Sequence, residues 1–291
     1  MRIFKQRFHF LYEASLKSRQ ADELLNTYFI RPAASVVVGF LYPTNILPIQ
    51  VVLLGTGFGV LAAVLIFRGN LLWGGIFLFI KNMLDAVDGQ LARAKHLEDR
   101  RGRFLDSVSD FMINLLVFSA IGRTLYQIRP SPEIWILVSL AFLSLSLRVS
   151  YFVFYFVAFL HLEQKLTQNR RFEGLTEADR EGDPVALILQ KIYIFFYNWQ
   201  DQLAGLLDNW CLRRFKKSDR LDRKTLLQKW YSHPQALRLS GFLGLGTELT
   251  FVILALILNK IDTYLWFNLL ILNAYWGFVV LYRRFLITIR P

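Results

Sequence analysis

Apolar residues come along this chain in blocks of about 20, separated by short stretches rich in Lys and Arg, the pattern of helices that cross the hydrocarbon core of a bilayer. Six blocks lie at roughly 47–67, 71–94, 104–126, 133–160, 238–259 and 262–282. At 1.5 Å of rise per residue each is long enough to cross ~30 Å of hydrocarbon. Two further segments are shorter. Arg31 to Tyr42 holds a run of about ten apolar residues, too few to span alone. Pro184 to Trp199 (PVALILQKIYIFFYNW) runs for about 15 residues interrupted by Lys191, so it reads as an interfacial or buried helix rather than a span. Met1 to Asn26 mixes charges into every turn and lacks the uninterrupted apolar core of a secretory signal. Its basic and aromatic residues suit a helix lying on the membrane surface, with a short soluble helix as the other reading.

The pattern predicts an all-α integral membrane protein. Its fold would be a bundle of six transmembrane helices, with an N-terminal interfacial helix and a helical cytoplasmic insertion between spans four and five. The expected divisions are a cytoplasmic or interfacial segment 1–46, spans one to four over 47–160, the insertion 161–236 and spans five and six over 237–291. Orientation follows from the loops. The N-terminal arm, the 95–103 connector (KHLEDRRGR), the insertion and the tail (Arg283, Arg284, Arg290) are basic, whereas the turns near Gly69, Pro130 and Asp262 carry few cations. An even number of spans, with both termini on the cytoplasmic side, satisfies every loop.

Composition supports this and removes alternatives. Hydrophobic residues make up 54% of the 291, charged residues only 19%, and mean hydropathy is +0.36. The 26 Phe and 12 Tyr exclude a disordered chain. One cysteine, Cys211, excludes an internal disulfide or a multi-Cys metal site and is expected to be inert. The net charge of +12 calls for an anionic surface; a leaflet of anionic lipid fits a membrane chain better than nucleic acid, which is not expected as a partner.

Chemistry concentrates at one place. Asp85, near the end of the second block, is followed by Asp88, Gly89, Ala92 and Arg93, offsets that share one helical face. Gly102, Asp106 and Asp110 then repeat at intervals of four on the third block. The short basic turn between the blocks makes the helices antiparallel neighbours, so four carboxylates can converge near the cytoplasmic boundary. Carboxylates at membrane depth normally mark function. Hard oxygen ligands favour Mg²⁺, Mn²⁺ or Ca²⁺, and two such ions clamping a diphosphate give the usual arrangement for in-line displacement at phosphorus. Gly89 and Ala92 permit close approach of a ligand, and Arg93 can hold phosphate oxygens. The plainer alternative is a pair of helix ends whose Asp residues are balanced by Arg100, Arg101 and Arg103.

The stretch LDAVDGQLARAKHLEDRRGRFLDSVSD resembles the signature of the class I CDP-alcohol phosphatidyltransferase (CDP-alcohol phosphotransferase) family, D-x2-D-G-x2-A-R-x8-G-x3-D-x3-D. Asp85, Asp88, Gly89, Ala92, Arg93, Gly102, Asp106 and Asp110 fill every fixed position. Eight positions at roughly one in twenty each give a chance match of about one in 10¹⁰ per starting point. The motif covers 26 residues, and six spans with the motif bridging the second and third also fit the family. Upstream, Arg31, Pro32, Pro48 and Gln50 match the family's R-P…T-P-N-Q-x-T, while Ile49 and Val52 stand at its Asn and Thr positions; Asn45 offers another pairing for the Asn.

The resemblance implies transfer of a substituted phosphate from a CDP-linked alcohol to a second alcohol, with release of CMP, in phospholipid synthesis. It implies a metal site of two Mg²⁺ or Mn²⁺ ions on Asp85, Asp88, Asp106 and Asp110, with Asp110 also the catalytic base. Asp85, Gly89, Ala92, Arg93 and Gly102 would line the CDP site. Donor and acceptor stay open between CDP-diacylglycerol with a polar alcohol and a soluble CDP-alcohol with a lipid or inositol-phosphate-type acceptor. Membrane lipids are expected partners, and since family members are often homodimers, so is a second copy.

Other polar residues fall at membrane depth. Arg148, mid-way along the fourth block, is either a phosphate anchor for lipid or acceptor or the partner of Glu248. Lys81, one turn before Asp85, either touches a phosphate or holds the carboxylates together. Asn82 and Asn273 suit interhelical hydrogen bonds. His9, His96, His161 and His233 have no metal-ligand spacing, and Arg100, Arg101, Arg103, Arg283 and Arg284 near the mouth favour a phosphorylated acceptor. An intramembrane prenyltransferase would show two distant Asp-rich motifs, and a cation transporter ionisable residues along several spans; neither pattern is present.

Overall fold

The computed structural model of the protein describes residues 22–163, 171–215 and 223–287, so the interfacial helix expected over Met1–Asn26 lies almost wholly outside the described residues. Every regular element among them is helical. A wide turn, Asn26–Ile30, leads into α1 (Arg31–Leu41), followed by α2 (Pro48–Phe67), α3 (Leu71–Lys95), α4 (Arg100–Ile128) and α5 (Glu133–Leu162). Then come α6 (Glu177–Glu181), α7 (Pro184–Leu212), α8 (Arg223–Tyr231), α9 (Pro234–Gly241) and α10 (Leu245–Ile257). The last run is α11 (Ile261–Trp266), a wider-wound stretch Phe267–Leu272, and α12 (Asn273–Leu281).

Among the described residues five helices are long and apolar enough to cross a membrane: α2, α4, α5, the Pro234–Ile257 run of α9 and α10, and the Ile261–Phe285 run that contains α11 and α12. The sixth expected block is α3, which has 25 residues but carries Lys81 near its middle and Asp85 and Asp88 after it. Burial is inverted relative to a soluble bundle. Lys81, Asp88, Asp110, Arg148 and Glu248 are inside, while Leu53 and Leu270 are 56% and 61% exposed. Such an exterior is stable only in hydrocarbon.

Local sequence sets the helix ends around the acidic motif. Pro48 occupies the first turn of α2, where its missing N–H costs nothing, and Gln50 Oε1 accepts the Leu47 N–H at 2.9 Å. At the end of α3, His96 adopts a left-handed conformation (φ 54°) that closes the helix. Three residues later Asp99 caps α4, accepting the Gly102 N–H at 2.6 Å. This turn reverses the chain and sends α4 back past α3.

The bundle is built around α2, which packs closely on both α3 and α4. Small residues make this possible: a Cβ at Gly59 of α2 would lie 2.7 Å from Ile113 of α4, and one at Gly75 of α3 would lie 2.9 Å from Ile257 of α10. Helices α3 and α4 make no comparable backbone approach to each other, although their acidic faces meet. The apolar core runs from Ala62 and Ile66 through Ile113, Phe118 and Leu145 to Leu249 and Leu256.

The Pro184–Trp199 segment is longer than its apolar run suggests. It is the first half of α7, a 29-residue helix that packs along α4 and α5. Apolarity fades after Trp199, but helix propensity does not, and no Gly–Pro break intervenes.

The segment before α1 is tied into the bundle from 224 residues away. The Glu23 carboxylate accepts the Thr247 N–H at 2.9 Å and its hydroxyl at 3.2 Å, capping the start of α10. Gly244 is required there, because a Cβ would lie 2.2 Å from Glu23 Cδ. Burial, against the opposing Thr247 hydrogen bond, pushes Glu23 up from 4.5 to about 7. The folded protein thus binds this proton more tightly than the unfolded chain, so stability is full below pH 4.5, falls as pH rises from 4.5 to 7, and is level above. Glu23→Gln should flatten this part of a plot of Tm against pH, a span of about 3 kcal/mol at most. An unchanged slope would assign it to other groups.

Candidate active site

Lys81, Asp85 and Asp88 follow at intervals of four and three on α3, and Asp106 and Asp110 one turn apart on α4, so each helix presents one polar face inward. The structure brings Asp85, Asp88 and Asp106 together: one carboxylate oxygen from each lies within 4.8 Å of the others. Asp110, one turn deeper, is turned toward Lys81, whose ammonium pairs with it and lies 3.8 Å from Asp85. Lys81 is 4% exposed. It thus joins the carboxylates of both helices, one of its two expected roles.

Three convergent carboxylates in a partly dry site fit a hard divalent cation such as Mg²⁺ or Mn²⁺, which takes oxygen donors and keeps positions for water or substrate phosphate. In the fourth carboxylate, that of Asp110, Lys81 engages one oxygen, Oδ1. Among the described residues no other group of His, Cys, Asp and Glu has metal-binding proximity. His96 closes α3, and His233 accepts the Ala236 N–H at the start of α9.

Arg93 lies at the same mouth. A Cβ at Gly89 would sit 3.5 Å from both of its terminal nitrogens, so the glycine leaves the guanidinium lying along the α3 backbone. Gly102 has a local explanation, since a Cβ would lie 2.7 Å from the capping Asp99 oxygen.

The pattern of the family described as CDP-alcohol phosphatidyltransferase matches residues 45–213. That is more than half of the chain. The chain belongs to the CDP-alcohol phosphatidyltransferase family. Two relatives, from Streptomyces avermitilis and Mycobacteroides abscessus, carry the name phosphatidylinositol phosphate synthase. They are 36% identical over 100 residues (33% of this chain, 41% of that protein) and 36% over 75 residues (25% and 34%). An uncharacterized protein of Aquifex aeolicus is 30% identical over 115 residues, 40% of this chain and 58% of its own. The matches cover between 34% and 58% of these relatives' lengths.

The family segment includes α7, which sequence reasoning did not place beside the acidic motif. Tyr197 donates to the Ser107 carbonyl at 3.0 Å, one residue from Asp106, and Phe196 stacks on Phe111 at 4.2 Å between ring centres. Arg100, Arg101 and Arg103, expected at the mouth for a phosphorylated acceptor, are instead engaged by the insertion: Arg100 with Asp179 at 2.5 Å, Arg101 with Asp183, and Arg103 with Glu173. The Thr176 N–H, helped by Gln190 and Arg100, draws Asp179 down to about 2, and the Arg101 hydrogen bond holds Asp183 below the usual carboxylate range. Arg283 is buried 3.5 Å from the centre of the Tyr155 ring, and Arg284 donates to the Trp210 carbonyl. A clue was the acidic run EADREGD, a counter-charge for RRGR.

Sequence reasoning also missed the bracket that holds α1 on α3. Ser35 donates to Gln90 at 2.9 Å, Gln90 donates to the Arg31 carbonyl at 3.1 Å, and Arg31 pairs with Asp22 at 2.7 Å. A buried Gln one residue after Gly89 was the available signal.

Arg148 is not placed as a phosphate anchor. Its guanidinium is fully buried, meets Glu248 at 2.5 and 3.0 Å, and donates to Asn273 Oδ1 at 2.6 Å. Asn273 also donates to Ser144 at 3.0 Å, the interhelical bond expected of it; Asn82 leaves its Nδ2 buried without a partner. Cys211 is buried, as an inert thiol should be. Glu248→Ala should lower stability by about 3–5 kcal/mol, because it strands a buried charge, and Arg148→Met with Glu248→Met should recover much of that. Equal loss in both variants, measured by thermal unfolding in detergent, would argue against a structural pair.

Proposed function

We propose that this protein is an integral-membrane phosphotransferase that moves the phosphatidyl group of CDP-diacylglycerol to the hydroxyl of a polar alcohol and releases CMP. The observation that carries the reading is the meeting of Asp85, Asp88 and Asp106 beside Asp110, between two helices whose backbones stay apart, in a chain of this family. The name shared by two relatives supports an inositol phosphate as acceptor.

In this reading α3 is the sixth span, both termini and the acidic mouth face the cytoplasm, and the protein pairs as a homodimer. The acidic side chains favour binding of two Mg²⁺ or Mn²⁺ ions, one on Asp85, Asp88 and Asp106 and a second that also draws on Asp110. Bound there, divalent cations supply positive charge to the diphosphate and to the departing CMP. Arg93 holds diphosphate oxygens beside Gly89, where no side chain blocks approach, and Asp85 and Ala92 complete that wall. Asp110 accepts the proton of the attacking hydroxyl as the new oxygen–phosphorus bond forms and the bond to the CMP oxygen breaks. Lys81 fixes the Asp110 carboxylate between the helices until substrate and cation are in place.

Purified protein with CDP-diacylglycerol, Mn²⁺ and an inositol phosphate should release CMP, whereas a soluble CDP-alcohol offered with lipid should not. Asp110→Asn should lower turnover by about 100-fold or more while the protein stays folded; unchanged turnover would remove Asp110 as the base. Lys81→Met removes the competing cation. The weaker of two Mn²⁺ binding constants, read by calorimetry, should then tighten about tenfold, ~1.4 kcal/mol, and an unaltered constant would separate Lys81 from the second ion.

A further inference from the structure

Helix α7 is amphipathic the wrong way round for a soluble insertion. The side turned to the bundle buries Gln190, Gln200, Asp201 and Asp208 among the small residues Ala186, Ala204, Gly205 and Cys211. Gln200 accepts from Ser150 at 2.8 Å, and Asp208 accepts from Trp230 at 2.8 Å and from Tyr231 at 2.6 Å. The outer side is apolar from Val185 and Ile188 through Phe195, Trp199 and Leu206 to Trp210, with Phe195 77% and Leu206 64% exposed. Water would penalise the exposed apolar stripe, whereas Gln190, Gln200 and Asp208 find hydrogen-bond partners inside.

The neighbours of α7 fix its level in the membrane. Ser107 of α4, Ser150 of α5 and Val280 of α12 all touch it, the last through the Cys211 thiol. The far ends of these three helices lie at one side of the bundle, where Arg129 pairs with Asp262. Counted from Ile128, Glu133 and Ile261 at 1.5 Å per residue, the contact points lie about 32, 26 and 29 Å along the helices. All three fall close to the ~30 Å thickness of the hydrocarbon core. A crossing helix of this length would change depth by about 40 Å. Only the first turns, where Gln190 meets Arg100, stand beyond the boundary.

We infer that α7, beyond its first turns, lies along the cytoplasmic boundary of the bilayer, its outer face from Phe195 onward embedded in lipid, and that the surface it presents there binds membrane rather than a protein partner. This rests on the topology proposed above. Trp199 and Trp210 face outward at that level, where aromatic rings with one polar edge anchor best. Lys191 and Arg213 are exposed along the helix and reach headgroups. Near Leu203 and Leu206 the face opens on a cavity of about 270 Å³ lined also by Leu147 and Trp276, suited to an acyl chain. On its other side α7 packs on α4, the helix that carries Asp106 and Asp110, through Tyr197 and Phe196.

The test uses the full chain with Cys211→Ala, reconstituted in vesicles with anionic lipid, and nitroxide labels on Phe195→Cys, Leu206→Cys, Leu53→Cys and Glu177→Cys. Labels at 195 and 206 should collide with oxygen in preference to a water-soluble nickel chelate, several-fold more than the label at 177. Their depths should agree to within a few ångströms. Water-like behaviour at 195 and 206 with a lipid-like 53 overturns the inference alone; water-like behaviour at 53 overturns the membrane reading itself. A depth difference near 15 Å means crossing, and protection from both reagents means a protein partner; either contradicts it. Should a labelled variant fail to fold, quenching of Trp199 by brominated acyl chains, from the difference between the native chain and Trp199→Phe, decides: quenching supports the inference and its absence rejects it.

Discussion

Negative charge held between two helices inside an apolar bundle must be neutralised, and the molecule is organised around that constraint. Four carboxylates from α3 and α4 share one interior, and the buried ammonium of Lys81 joins two of them across the helices. Carboxylates without such compensation would be too costly at this depth. The compensation is incomplete, Lys81 inside and Arg93 at the mouth against four acids, which leaves the site attractive to divalent ions and to the diphosphate they accompany. Close packing of α2 on both neighbours lets α3 and α4 stay apart while remaining fixed. Glycines where α2 meets α4 and α3 meets α10 allow this rigidity without a polar cost.

A second buried charge is solved differently. Arg148 and Glu248 satisfy one another with help from Asn273, leaving no unbalanced charge for a ligand to complete. The contrast separates function from scaffold: both sets of charges are buried and both bridge helices, but only the acidic motif carries an excess of one sign. In membrane interiors that excess is a better guide to chemistry than the presence of ionisable residues alone.

The apolar blocks were legible because hydrocarbon demands about 20 uninterrupted residues, and α2, α4, α5 and the last two runs fall where hydropathy places them. The acidic face was legible because helical spacing is a local property. What the chain did not announce is long-range partnership. Arg100, Arg101 and Arg103 read as counter-charges of the Asp motif or as cations for a phosphorylated acceptor, until Glu173 ahead of α6, Asp179 within it and Asp183 at the cap of α7 engage them. The exposed apolar residues of α7 alternate in sequence with the exposed Lys191, Gln202 and Asn209, so its hydropathy falls short although Phe195, Trp199, Leu203, Leu206 and Trp210 share one outer face. Glu23 and Thr247, 224 residues apart, belong to the same class of information. Asp110 was expected in a ring of four; its pairing with Lys81 depends on how far α3 and α4 stand apart, which no spacing rule encodes.

The central claim is that Asp85, Asp88 and Asp106 hold a cation against the diphosphate of a CDP-linked lipid, and ³¹P electron–nuclear double resonance of bound Mn²⁺ tests it most directly. Protein loaded with Mn²⁺ and CDP-diacylglycerol should show hyperfine coupling to phosphorus, and the coupling should vanish in Asp106→Asn at equal lipid. Mn²⁺ bound without phosphorus coupling, or coupling that survives the substitution, would contradict the account.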